Sequence, residues 1–151
     1  KIKEENFGFF DGRAGDPEAE CESIESVIKT QGGIDIAIVG LGMNGHIGMN
    51  EPGTSHQLYS HVSDLAAQTI ETGQKYFKEA TPLSQGLTLG IANLREARHV
   101  ILVVSGSKKA GIVKQVLEGK ISEELPASLM RNHKHFTVYL DAAAARYLQA
   151  E

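Results

Sequence analysis

Residues 99–105, His-Val-Ile-Leu-Val-Val-Ser, constrain the fold more than any other stretch of the chain. The run is apolar at consecutive positions and rich in β-branched residues. A strand with apolar residues on both sides, rather than on alternate ones, belongs in a sheet covered on both faces, and parallel sheets are the usual case. A shorter run at 34–39 has the same character and is bounded by glycine at each end. Between and around these runs lie helical patterns, so strands alternate with helices and the parallel connections can be made by crossovers.

The helix signals are chemical as well as periodic. Asp16 precedes Pro17, with Glu18 and Glu20 in the first turn, which is the composition of a helix start. Cys21, Ile24, Val27 and Ile28 then give that helix one apolar face, and Gly32-Gly33 ends it. A second helix is expected over 108–118, with Ile112, Val113, Val116 and Leu117 on one side and Gly119 as its stop. Residues 125–130 read as helical and 136–140 as a strand, and Asp141 caps a closing alanine-rich helix. Four stretches carry weaker signals. Residues 6–10 (Asn-Phe-Gly-Phe-Phe) read as an aromatic strand followed by turn chemistry, and residues 58–65 as a strand with imperfect alternation. Residues 66–80 read as irregular or helical, and 86–97 as an extended piece running into a helical turn. The expected fold is therefore α/β: an open, mostly parallel sheet with helices on both faces, Rossmann-like and three-layered, in a single domain over residues 1–151. The chain starts at Lys1 rather than Met, and its first strand arrives with little lead-in, so it reads as the C-terminal portion of a longer protein lacking its N-terminal part.

Composition narrows the function classes. The formal net charge is −4, which does not favour nucleic acid or an anionic membrane as partner. No apolar run approaches the about 20 residues that span a bilayer, and no charged-then-apolar signal opens the chain, so a soluble cytoplasmic protein is expected. The single cysteine, Cys21, has no internal disulfide partner and reads as packing.

The chemistry concentrates in residues 40–53, Gly-Leu-Gly-Met-Asn-Gly-His-Ile-Gly-Met-Asn-Glu-Pro-Gly, directly after the strand at 34–39. His46 supplies an acid–base group tuned near neutral pH and Glu51 a carboxylate, with Asn44 and Asn50 as neutral hydrogen-bonding partners. Open α/β sheets place their sites at the carboxyl ends of strands, which is where this loop lies. Gly40, Gly42 and Gly45, with Asp64 further on, match the spacing of a dinucleotide fingerprint. That fingerprint needs a helix opening at the third glycine, yet Gly48, Pro52 and Gly53 occupy that place, which argues against a nicotinamide or flavin cofactor. The His46–Glu51 spacing is not the helical spacing of a metal pair, so no metal is expected. Residues 105–109 (Ser-Gly-Ser-Lys-Lys) join the strongest strand to a helix, and this turn suits either a bound phosphate or a plain capped helix start with two solvated lysines. His133, Lys134 and His135 read as a surface cluster.

With these residues laid out, the chain resembles the glucosamine-6-phosphate deaminase/isomerase family. That family carries a G-x-G-x-[DN]-G-H-I-[AG]-[FM]-N-E-P signature after a strand, matched here from Gly40 through Pro52. The likeness continues in DGRAGDPEAEC upstream and LTLGIANLREARHVILVVSGSKKA downstream. The related 6-phosphogluconolactonases share the Gly-His core but continue differently where this chain has Asn50-Glu51-Pro52. The resemblance implies that His46 opens the pyranose ring by moving a proton between the anomeric hydroxyl and the ring oxygen, that Glu51 tunes and orients it, and that Asn44 stands at a third relay position. Some members have Asp there; Asn accepts no proton, so in this chain it can only orient. It further implies that Lys109 binds phosphate, and that Lys75 stands where many members place a phosphate-binding arginine, keeping the charge but not the bidentate fork. The family's proton-abstracting aspartate and a Ser/Gly-rich phosphate loop belong to an N-terminal segment outside these residues. Regulation by hexosamines is not expected, because the stretch after the signature reads Tyr59-Ser60-His61.

The implied function is conversion of glucosamine 6-phosphate or galactosamine 6-phosphate to a ketohexose 6-phosphate and ammonia, without cofactor or metal. The implied partner is this small molecule, with no nucleic acid or membrane, and a homo-oligomer is left open. The alternatives are a non-catalytic sugar-phosphate-binding regulator and a 6-phosphogluconolactonase-like hydrolase.

Overall fold

The computed structural model describes residues 2, 3 and 6–149. Its framework is a parallel sheet of three strands in the order β1 (Ile36–Val39), β4 (His99–Val104), β5 (Phe136–Leu140). β1 runs beside β4 with Ala37 opposite Val100, and β4 beside β5 with Leu102 opposite Val138. A separate antiparallel ribbon pairs β2 (His61–Asp64) with β3 (Gln85–Thr88). The helices are α1 (Pro17–Thr30), α2 (Ala67–Gly73), α3 (Ile91–Glu96), α4 (Ala110–Glu118) and α5 (Ala142–Ala145).

Local chemistry fixes the helix ends as expected. The Asp16 carboxylate accepts from the Ala19 N–H at 3.0 Å, and Asp141 accepts from the Ala144 N–H at 2.7 Å. Such caps are worth about 1 kcal/mol each. Cys21 is buried on α1, as its packing role requires, and burial followed by the charges of Glu18, Glu20 and Glu25 pushes its thiol pKa up. Residues 66–80 resolve into α2 and a 3-10 turn over Gln74–Tyr76, neither of which buries a residue.

The core lies on one side of the parallel sheet. Ala37, Val100, Leu102 and Val104 pack there with Ile91 and Leu94 of α3, Ile112, Val113 and Val116 of α4, and Ala144 of α5. Ile47 of the glycine-rich loop is fully buried in the same cluster, so this loop is anchored in the core by its own side chain. The α/β class and the parallel sheet agree with the sequence. The expected helical cover on the second face is not supplied by the described residues: Ile36, Ile38 and Tyr139 on that face are 58%, 71% and 60% exposed.

Three local expectations need correction. Residues 6–10 form no strand, because no strand among the described residues pairs with them, and Phe9 stays exposed beside Phe7. The strand expected over 58–65 shrinks to β2. The carbonyl of Leu58 instead accepts the Ala92 N–H at 2.9 Å at the start of α3, and Glu25 of α1 holds Ser60 through both its N–H and its hydroxyl. Residues 125–130 are covered by a 3-10 helix, Pro126–Asn132, rather than an α-helix.

Because β1 and β4 are adjacent and parallel, their carboxyl ends lie side by side. The loop after Val39 and the turn after Val104 therefore meet at one edge of the sheet, which is what brings distant parts of the sequence together.

Candidate functional site

The loop holds His46 by steric and polar means. The imidazole lies flat against the backbone of Gly42, so closely that a Cβ at residue 42 would sit 2.3–2.4 Å from ring atoms Cε1, Nδ1 and Cγ. Gly45 turns the chain with φ +87°, a conformation that side chains disfavour, and its carbonyl accepts the Ala127 N–H at 3.0 Å. Asn44 faces two ways: its Oδ1 accepts the His46 N–H at 3.2 Å and its Nδ2 donates to Glu51 Oε2 at 2.7 Å. Asn50 is spent on the loop itself, its fully buried amide donating to the carbonyls of Ile47 and Leu89 at 2.8 and 2.9 Å. Asn50 therefore fixes the backbone and does not line the cleft.

Glu51 stands behind the imidazole, with Oε2 at 3.4 Å from His46 Nδ1. It is 7% exposed. Burial alone would raise its pKa, but hydrogen bonds from Thr69 and Asn44, the nearby imidazole and the Ala66 N–H outweigh it and leave the carboxyl below its usual range. The carboxylate is thus ionised near neutral pH. For His46 the balance runs the other way. Burial pushes the imidazole pKa down, Glu51 pulls it up by charge and hydrogen bond, Lys109 pushes it down, and the net shift is downward. His46 is consequently neutral near pH 7, with Nδ1 turned to the carboxylate. Among the described residues, nothing hydrogen-bonds its Nε2.

His46 lines a cleft of about 470 Å³ together with Asn44, Lys75 and Lys109. Lys109 follows Gly106 and Ser107 in a 3-10 turn leading into α4, and its ammonium donates to the Leu41 carbonyl. Burial, then the charge of Lys75, holds the Lys109 pKa below its ordinary value. The two ammonium groups therefore share a field that an anion would relieve. Lys75 comes from the turn after α2 and lies 4.8 Å from the centroid of the Tyr76 ring. Of residues 105–109, only Lys109 lines the cleft. The Gly106 N–H is occupied by the Asp141 carboxylate at 2.9 and 3.1 Å, so this turn offers an anion its lysine side chain rather than that amide. Among the described residues, no group of three or more His, Cys, Asp or Glu could hold a metal ion.

The sequence reading thus finds Asn44, His46, Lys75 and Lys109 around one cleft, with Glu51 directly behind His46. It missed two residues. Thr69 of α2 reaches both His46 and Glu51, and Asp141 ties the turn before α4 to the end of β5. Asp141 carried a helix-cap signal only, and Thr69 carried none.

The chain is similar in sequence and fold to known proteins. A glucosamine-6-phosphate deaminase from Clostridium acetobutylicum is 40% identical over 149 residues, covering 97% of this chain and 61% of that protein. The solved structure of a monomeric glucosamine-6-phosphate deaminase, described as a missing link of the NagB superfamily, superposes with a TM-score of 0.91 at 39% identity, over 95% of this chain and 60% of its own. A 6-phosphogluconolactonase from Trypanosoma cruzi shares the fold, with a TM-score of 0.69 at 21% identity, over 87% of this chain and 52% of its own. The chain spans about six-tenths of the length of the deaminases it matches. The family model for glucosamine-6-phosphate isomerases/6-phosphogluconolactonase matches residues 1–139, and with the identity and the fold in agreement, the chain belongs to that family.

Proposed function

We propose that this chain carries the ring-opening and phosphate-holding half of an amino-sugar-phosphate deaminase/isomerase. The observation that carries the proposal is the shared cleft: a neutral histidine with its Nδ1 turned to an ionised carboxylate stands opposite two lysines that have no carboxylate partner in it. His46 Nε2 takes the proton of the anomeric hydroxyl and returns a proton to the ring oxygen, which breaks the bond between carbon 1 and the ring oxygen and leaves the open-chain aldehyde. Glu51 stabilises the imidazolium that exists between these two transfers, and proton transfer of this type contributes roughly a hundred- to ten-thousand-fold. Lys109 and Lys75 hold the phosphate and so fix the sugar relative to His46.

The later chemistry balances without redox. A proton leaves carbon 2 and one is added at carbon 1, while the carbonyl oxygen gains a proton and the amine nitrogen gives one up, so the aldehyde becomes an alcohol and carbon 2 an imine. Water adds to the imine and ammonia departs, leaving a ketohexose 6-phosphate. The family resemblance assigns the group that takes the proton from carbon 2 to a segment outside these residues, so the steps ascribed to this chain are ring opening and anchoring. The Asn50-Glu51-Pro52 continuation, which puts a carboxylate behind His46, supports the deaminase over a lactonase. The same proposal takes either the gluco or the galacto substrate. It places the reaction in the cytoplasm, because a phosphorylated sugar does not cross a bilayer unaided.

The test is ammonia release from glucosamine 6-phosphate and galactosamine 6-phosphate by the full-length protein, with ketohexose 6-phosphate formed in equal amount. Release of neither product, together with hydrolysis of a sugar-phosphate lactone, would refute the deaminase reading. Binding of both amino-sugar phosphates without turnover would favour the regulator.

A further inference from the structure

Thr69 lies on α2, 23 positions along the chain from His46, yet its hydroxyl stands 3.4 Å from His46 Nδ1. The same hydroxyl also faces the Glu51 carboxylate closely enough to hold its pKa down. A threonine hydroxyl has one proton to give and lone pairs to accept with. Glu51 is ionised and can only accept, so the hydroxyl proton goes to the carboxylate. What the hydroxyl then presents to the imidazole is a lone pair. His46 Nδ1 thus faces two acceptors, Thr69 Oγ1 and Glu51 Oε2, each at 3.4 Å. Both favour the tautomer with the proton on Nδ1, which leaves Nε2 with its lone pair free toward the cleft.

We infer that Thr69 is a positioning residue that selects the Nδ1–H tautomer of His46 and so directs the basic Nε2 at the substrate. The inference rests on the proposed role of His46 as the ring-opening base. The contact is long, as catalytic hydrogen bonds often are before substrate tightens them. α2 buries none of its residues, and the Thr69 hydroxyl and the Ala66 N–H, which donates to Glu51 Oε1 at 3.3 Å, are the polar links from this segment to the pair. The charged groups facing the pair are otherwise Lys109, from the turn before α4, and behind it Lys75. Neither can accept a proton from Nδ1 while charged, so neither competes for the tautomer.

The test uses Thr69→Val, which keeps the shape and removes the hydroxyl, and Thr69→Ser, which restores it. In the substrate-free protein, ¹⁵N shifts of His46 report the tautomer and the ¹³C shift of the Glu51 carboxyl reports its titration. The valine variant is expected to lower the Nδ1–H to Nε2–H ratio roughly fivefold, the equivalent of one lost hydrogen bond. It should also move the Glu51 midpoint upward, because a donor to the carboxylate is gone. Turnover of the full-length protein should fall by a similar factor with KM little changed, and serine should restore all three readings. An unchanged tautomer ratio and Glu51 midpoint in a folded valine variant would overturn the inference, as would failure of serine to restore them. If valine prevents folding, Thr69→Ala carries the same expectations. Because the shifts are read without substrate, a wild-type protein that shows the Nδ1–H tautomer and its loss in the valine variant, but releases no ammonia, would refute the deaminase reading and leave the role of Thr69 intact.

Discussion

Replacing Gly42 by alanine should disable His46 while leaving the loop backbone unstrained. Gly42 does not have positive φ, so alanine meets no intrinsic backbone penalty there. What it meets is the imidazole, with its new Cβ 2.3–2.4 Å from three ring atoms. Non-bonded carbon atoms rest at about 3.5–4.0 Å, so the ring or the loop must give way by about 1 Å. The ring has little freedom to do so, because Glu51 and Thr69 each stand 3.4 Å from its Nδ1 and Asn44 accepts the backbone N–H of His46. A displacement of about 1 Å from productive geometry costs on the order of a hundredfold in turnover, and overpacking of this kind costs about 1–3 kcal/mol of stability. The measurement is kcat for ammonia release beside urea unfolding, with Gly111→Ala as the control, since a Cβ at Gly111 would have no neighbour within 4 Å and Gly111 lies outside the cleft. Gly42→Ala should lose activity far beyond its loss of stability, and Gly111→Ala should lose neither. A Gly42→Ala protein with normal turnover and an unmoved His46 titration would show that the ring is not held against this backbone as described.

Four further outcomes are expected. His46→Gln should lower kcat at least a hundredfold with a much smaller effect on KM, and a ring-opened substrate analogue should be less sensitive, as steady-state kinetics with both substrates will tell. Glu51→Gln should move the His46 titration, followed by NMR, to still lower pH, because the carboxylate is what pulls the imidazole upward; an unmoved or raised midpoint contradicts the pairing. Lys109→Met should weaken binding of 6-phosphorylated sugars about ten- to hundredfold by calorimetry, with Lys108→Met, an exposed neighbour outside the cleft, changing it little. Stability should fall on acidification in two windows with the same sign: the folded state holds His46 and Glu51 below their ordinary pKa values, so it binds fewer protons than the unfolded chain. Urea unfolding should therefore weaken first below the ordinary histidine range and again below the ordinary carboxylate range, and Glu51→Gln should abolish its share of the second loss.

The residues that sequence reading found and missed differ in where their information lies. Asn44, His46 and Glu51 are close in the chain, on a loop whose glycines and buried Ile47 leave few ways to fold, so their meeting follows from local structure. Lys109 was legible for a different reason: its strand-to-helix turn suits a phosphate and the family resemblance names the lysine, while the parallel pairing of β1 with β4 is what delivers that turn to the edge of the loop. Residues 66–80 gave no such structural guide, Lys75 being indicated there by the family resemblance alone. They bury nothing and show no clear period, so neither α2 nor the facing of Thr69 toward His46 could be read in advance. The misread strand at 6–10 has the converse cause. Alternating aromatics satisfy the local preference for a strand, but a strand exists only where another offers it a ladder, and among the described residues none does.

The same distinction explains why the cleft works through side chains from unlike supports. His46 is fixed by a loop anchored in the core, and Lys109 stands at the head of α4, which the core also grips through Ile112, Val113 and Val116. Lys75 and Thr69 come from a segment that buries no residue, held to the site by Ala66 and Thr69 on Glu51 and closed locally by Gln74, which pairs twice with the backbone of Thr81 at 2.9 and 3.0 Å. Glu51 is therefore the common anchor of both parts: it accepts from Asn44 of the rigid loop and from Ala66 and Thr69 of the lightly held segment, while facing the imidazole that lies between them. Removing its charge does more than untune a base, because glutamine leaves Ala66 and Thr69, in the segment carrying Lys75, a weaker neutral acceptor in the same step. Phosphate binding at Lys75 should consequently weaken in Glu51→Gln although that residue lies behind the imidazole and outside the cleft lining.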